Sequence, residues 1–309
     1  MRVRIDLAYD GSGFHGYARQ PDVPTVQGTL EGALTRVCGL VRGRADVDGV
    51  PVRDDRIDST CAGRTDAGVH ALAQVVHVDI DAEWSSAAAT LVAQAMREPE
   101  IVRRRLDDIV GPTITLWSVR VVDATFDARF SAVERRYRYV LTDADRTDPR
   151  HRVPRWDVGM PLDVTAMDAA AQAVLGEHDF TSLCRRAPGR HSRRRIDEIA
   201  VVRHDVAGPA PQLPPDEIHV TLRGKAFCHQ QVRSITGCLV EIGLGERPVE
   251  WMGEVLAARD RSVAARVAPA RGLTLEAVVY PDPWSNAPSG PGVPGQQEGS
   301  SGSGVPSMP

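Results

Sequence analysis

Lysine is almost missing from this chain: all but Lys225 of its 37 basic residues are arginine. No apolar run approaches the roughly 20 residues that a membrane-spanning helix needs. The N-terminus lacks a secretory apolar stretch and starts at once on alternating Val3, Ile5, Leu7 and Tyr9, so a cytoplasmic location is expected. The five cysteines (Cys38, Cys61, Cys184, Cys228 and Cys238) include no C-x-x-C pair, which argues against a zinc knuckle or a disulfide framework and for reduced, packed thiols. No cluster of Cys, His and acid has metal-ligand spacing, and no P-loop spacing is present.

What is present is the composition of a globular protein, 42% hydrophobic and 25% charged over 309 residues. A net charge of −4 conceals local clusters of arginine. They are Arg103 to Arg105, Arg135-Arg136-Tyr137-Arg138, and the stretch from Arg185 to Arg195, which holds six arginines and no acid. Such clusters read either as solvated faces or as local positive fields for a phosphate-rich partner.

Hydrophobic periodicity divides the chain into two α+β halves and a tail. Residues 1–124 read as strand 2–9, a helix capped by Thr25, strands ending near residue 60 and over 71–80, helix 84–98 and strand 113–122. The stretches 42–58 and 96–111 have little strand character and read as a loop and an arginine-rich segment. Residues 125–283 repeat the order, with strand 135–141, helix 163–175, strands 196–203 and 217–223, helices 229–243 and 249–258, and strand 273–280. Two ferredoxin-like βαββαβ halves with antiparallel sheets would flank a central cleft, where ligand sites tend to form. Of the last 25 residues, 17 are Gly, Pro or Ser, and residues 284–309 are expected to be disordered.

Between two of these strands lie Cys61-Ala62-Gly63-Arg64-Thr65-Asp66-Ala67-Gly68-Val69-His70. Asp, Gly and Thr are ordinary turn residues, so composition alone fits a surface turn. The same residues fit an active-site loop, in which one carboxylate among small neighbours has a cation, Arg64, two positions away. A nearby cation favours the ionised form that a nucleophilic carboxylate needs. His77 reads as a structural histidine; His70 fits a general base or a structural residue of the turn, and no catalytic role is assigned to it.

Several motifs share one resemblance. Tyr9-Asp10-Gly11-Ser12-Gly13-Phe14-His15-Gly16, Thr25-Val26-Gln27, the 61–70 stretch with Gln74-Val75-Val76-His77, and Phe126-Asp127-Ala128-Arg129-Phe130-Ser131 resemble successive motifs of the tRNA pseudouridine synthase A (TruA) family. So do Arg136-Tyr137-Arg138-Tyr139, Gly176-Glu177-His178-Asp179-Phe180, and Ala226-Phe227-Cys228-His229 with Val232-Arg233-Ser234. The resemblance implies the pseudouridine synthase fold and an isomerase that converts uridine to pseudouridine at positions 38, 39 and 40 of the tRNA anticodon arm. It implies Asp66 as the attacking carboxylate, Arg233 as its ion-pair partner, Arg64 as the residue that displaces the base, and Tyr137 as the ring on which the base packs. No metal or redox cofactor is implied, and a homodimer is. Arg19, Gln20, Arg185, Arg186, Arg193, Arg194 and Arg195 are expected to meet the RNA backbone. The chain departs from the family pattern at Tyr17, often Trp, at Gln230-Gln231, and in the 42–60 and 96–111 stretches. A catalytically inactive RNA-binding protein of the same fold and a metal-dependent hydrolase using Asp66 and His70 are the alternatives.

Overall fold

The computed structural model describes residues 1–40, 57–145, 154–185, 189, 191–205 and 216–285. Most of the expected 42–58 loop, the C-terminal tail and Arg186 lie outside the described residues. The first set of elements is β1 (Arg2–Tyr9), α1 (Val26–Val37), β2 (Ser59–Cys61), β3 (His70–Asp79), α2 (Ser86–Arg97), α3 (Pro99–Val110) and β4 (Ile114–Val122). The second is β5 (Glu134–Thr142), β6 (Trp156–Asp157), α4 (Val164–Ala171), β7 (Gly176–Asp179), β8 (Arg193–Ile196), β9 (Glu198–Asp205), β10 (Asp216–Gly224), α5 (Gln231–Gly243), α6 (Trp251–Ala258) and β11 (Leu273–Val279).

The large strands join in one mostly antiparallel sheet, ordered β4-β1-β3-β11-β5-β10-β9. The two sets meet where β11 runs parallel to the start of β3, Thr274 opposite His70 and Leu275 opposite Ala71. β2 pairs with the far end of β3, Cys61 opposite Val76 and Ser59 opposite Val78. Because β1 occupies the other edge of β3, β2 and β11 share one edge and diverge along it. The stretch from Ala62 to Val69 bridges this fork.

Thr25 caps α1 as its side chain predicts, accepting from the Gly28 amide. The 96–111 stretch is not an irregular segment: Pro99 opens α3, buries Val102, Leu106 and Val110, and lets Arg103 and Arg104 pair with Glu100 one turn away. A narrow apolar stripe, one buried residue in four and diluted by arginines, hides this helix from the periodicity. β1 also differs from its half-buried expectation. Its second face carries a buried ion pair, Arg4 Nη2 to Asp6 Oδ1 at 2.7 Å, roofed by Phe126, Tyr280 and Trp284. The Arg4 guanidinium lies 4.6 Å from the centre of the Tyr280 ring.

The expectation of uniformly reduced thiols requires correction. Cys184, in the turn after β7, is joined to Cys228, in the loop before α5, with 5.9 Å between their Cα atoms. The two are 44 residues apart, and only tertiary folding makes them neighbours. Cys38, Cys61 and Cys238 are free and buried, and burial pushes each thiol up to about 11.

On the second set of strands, Arg203 holds both oxygens of the mostly buried Asp143 at 2.9 and 2.7 Å, and the Leu162 amide donates to it as well. The Arg203 hydrogen bonds keep the Asp143 carboxyl below its usual range despite partial burial. A lowered folded value stabilises the native state above the unfolded value, near pH 3.9, and this contribution disappears as pH falls through the folded value. Asp143→Asn should therefore cost about 1–3 kcal/mol in urea unfolding at pH 6, with the gap from wild type closing below about pH 4.

Candidate active site

The 61–70 stretch is tied to its neighbours at several points along its main chain. The Ala62 amide donates to Val75 O, Gln74 Nε2 donates to Gly63 O at 2.7 Å, and the Tyr17 amide donates to Thr65 O at 3.0 Å. Thr65 Oγ1 lies 2.8 Å from the buried Tyr9 hydroxyl. The Val69 amide closes a turn onto Asp66 O, and Gly68 takes the third position of that turn at φ +78°, where a side chain would be strained. The segment is thus a turn, and a rigid one.

Gly11, Gly13 and Gly16 happen to have dinucleotide-loop spacing, but Gly11–Gly13 forms a short 3-10 turn and opens no phosphate-binding helix. Gly16, at φ +100°, instead lets this loop lie against the Asp66 segment: a Cβ there would stand 3.2 Å from Thr65 O and Ala67 N.

The Asp66 side chain is held by groups from the second set of elements. Arg233 Nη1 donates to Oδ2 at 2.7 Å, and His229 Nε2 stands 3.1 Å from Oδ1. Arg233 enters from the first turn of α5, and its Nε donates to Ala268 O at 2.8 Å. The chain at 266–268 can lie this close to α5 only because Gly237, one helical turn beyond Arg233, has no side chain: a Cβ there would meet Arg266 O at 2.1 Å. Gly237→Ala should cost about 3 kcal/mol or more in unfolding free energy, read from denaturant titration, since backbone rather than a yielding side chain fills the space.

Tyr137, on β5, is buried beside the same loop. Phe227 meets its ring edge-on, with centroids 5.0 Å apart. A Cβ on Gly63 would be 3.7 Å from both Tyr137 Oη and Arg135 Nε, so the glycine keeps the space beside them open. Burial is the main influence that pushes the Tyr137 phenol up to about 12, which leaves it neutral at pH 7. Arg135 is buried, and among the described residues no carboxylate pairs with it. It donates to Ala62 O at 2.7 and 3.1 Å, to Arg129 O at 2.8 Å and to Lys225 O, and so stitches three segments together beneath the loop.

The sequence-derived candidates divide accordingly. Asp66, Arg233 and Tyr137 converge. Arg64 is exposed on the same loop and does not supply the cation at Asp66; Arg233 does. His70 faces Gly11 and Asp10, the Gly11 amide donating to its Nδ1 at 3.1 Å, and burial lowers its tendency to protonate. His77 accepts from the Ala128 amide through Nδ1 and belongs to the fold. Arg19 is clamped to the buried Glu31 at 2.5 Å and to Asp58, and Gln20 donates to His15 O. Arg185 lies in the loop after β7, its amide bonded to His229 O, while Arg193, Arg194 and Arg195 lie on β8; Arg193 has Glu177 at 3.5 Å and Arg195 has Asp197 at 2.8 Å. The arginine clusters are therefore partly neutralised, by acids near in sequence such as Asp197 and Glu134 and by distant ones such as Glu177 and Glu276. His229, Phe227 and Arg135 were not singled out as site residues: their spacing to Asp66 is entirely tertiary.

Comparison with known proteins now bears on this arrangement. Residues 170–281 match the family described as tRNA pseudouridine synthase. A protein of Frankia casuarinae named tRNA pseudouridine synthase A is 38% identical over 282 residues, covering 91% of this chain and 90% of the relative. The chain belongs to the tRNA pseudouridine synthase A family. Proteins of the same name in Cutibacterium acnes and Pectobacterium atrosepticum are 39% and 38% identical, each over 91% of this chain. The chain is mixed α+β with a mostly antiparallel sheet; among its described residues no helix is long and apolar enough to cross a membrane.

Proposed function

We propose that this chain isomerises uridine to pseudouridine in tRNA, at positions 38, 39 and 40 of the anticodon arm, with Asp66 as the attacking carboxylate. The likeness to tRNA pseudouridine synthase A over 91% of the chain carries this reading. The reaction breaks the N1–C1′ bond, forms a C5–C1′ bond, takes a proton from C5 and leaves one on N1. Substrate and product have the same atoms, so no electron or group donor enters.

The site's residues suit each requirement. Arg233, permanently protonated, keeps Asp66 beside a fixed positive charge. A stem base must leave its stack at a cost of a few kcal/mol, and the exposed Arg64 is the side chain free to take its place. Tyr137, neutral and backed by Phe227, offers the base an aromatic surface. Arg185, Arg186 and Arg193 to Arg195 would meet phosphates, and Arg19 and Gln20 follow the loop that supports the Asp66 turn.

The same reading includes two ferredoxin-like halves, 1–124 and 125–283, with the site in the cleft between them. Leaving out the short β6, β7 and β8, the fourth, first, third and second strands of each lie in that order, as β4-β1-β3-β2 and β11-β5-β10-β9. It also includes a cytoplasmic homodimer, which sedimentation would detect. Pure protein incubated with unmodified tRNA and EDTA should form pseudouridine at 38–40. A requirement for added metal, or tRNA binding without product, would overturn the proposal.

A further inference from the structure

His229 stands at the catalytic carboxylate without an assigned part. Its side chain is 45% exposed, whereas those of Asp66 and Arg233 are 20% and 14% exposed. Its backbone, by contrast, is fixed. The Arg185 amide donates to His229 O at 2.9 Å, Gln231 Oε1 accepts from the Cys228 amide at 2.9 Å, and Cys228 is joined to Cys184. Gln230 turns left-handed at φ 65° and starts α5. One short stretch therefore sets Phe227 on Tyr137, His229 on Oδ1 and Arg233 on Oδ2.

The two carboxylate oxygens are held unequally. Arg233 spends Nε on Ala268 O and reaches Oδ2 through Nη1, so its charge is locked at one oxygen. Oδ1 meets the more exposed imidazole, on the side open to an arriving nucleotide. An imidazole donates through Nε2–H as a neutral tautomer or as a cation, and is a weaker, more easily displaced partner than guanidinium. A second permanent cation at Oδ1 would tie up the lone pairs that attack requires.

We propose that His229 is a positioning residue: its imidazole, with Nε2 3.1 Å from Oδ1, aims the Asp66 carboxylate in the free enzyme and yields that oxygen to the substrate. This rests on the isomerase reading for its catalytic consequence, though not for the contact itself. His229→Ala should lower kcat by about 10- to 100-fold while tRNA affinity stays within about twofold, because aim rather than binding is lost. His229→Gln, whose amide nitrogen reaches about as far as Nε2, should recover most of the rate. His229→Asn, whose amide is too short, should not.

Unchanged kcat in His229→Ala, or equal rates for the Gln and Asn variants, would overturn the role. Thermal unfolding identifies any variant that fails to fold, and the Gln and Asn comparison then decides. A second measurement needs no turnover: the imidazole 15N resonance of His229 should move in Asp66→Asn and stay in Arg64→Ala. If wild type makes no pseudouridine but this shift is seen, the isomerase reading fails and the contact stands. If the shift is absent, the proposal fails whatever the activity.

Discussion

Asp66→Asn is expected to reduce pseudouridine formation by on the order of 10⁴-fold while leaving tRNA affinity within about twofold. The substitution is nearly isosteric, so the turn closed by the Val69 amide and the contacts beneath it persist. What disappears is the anionic nucleophile. An amide can still accept from Arg233 through its oxygen, so the loss cannot be attributed to a collapsed site. Single-turnover assays with saturating enzyme, paired with filter binding of the same tRNA, separate chemistry from affinity. Substantial activity in this variant would remove Asp66 from the reaction.

Arg233→Ala should lower kcat by about 10²- to 10³-fold, the scale on which a preorganised charged donor contributes. It removes the permanent charge from Oδ2 and also frees Ala268 O. Arg233→Lys separates these two losses. Lysine restores a positive charge, but one ammonium is poorly placed to serve both Ala268 O and Oδ2, so recovery should be partial and about tenfold or more below wild type. Full recovery by lysine would mean that charge alone matters and that the Ala268 contact is incidental. Kinetics on tRNA at fixed ionic strength measures both.

Much of this arrangement could be read from the chain because it is local. The Thr25 cap, the long strands and the helix carrying Val232, Ile235, Leu239 and Ile242 each follow from spacing within one element. Asp66 and Arg233 were named from motifs 167 residues apart, and a 2.7 Å contact joins them. The parts that were not legible depend on partners remote in sequence. Arg135 resembles any member of a basic cluster until its three carbonyl acceptors are seen. The buried Glu31 that pairs with Arg19 is likewise not visible from the sequence. Helix α3 was missed because three arginines obscured its apolar stripe, and the Cys184–Cys228 pairing because no spacing rule joins those positions.

The fork in the sheet sets a limit on how this protein can respond to its substrate. β2 and β11 leave the same edge of β3, and the Asp66 turn crosses the gap with its main chain bonded on both sides. Opening or closing the two sides like a hinged jaw would have to break ladder bonds at His70 and Ala71, a few residues from Asp66 itself. Wide closure would therefore dismantle the very geometry that it was meant to assemble. The nucleic acid must do the rearranging, and discrimination between uridines then falls on how readily each one deforms to reach a stationary carboxylate.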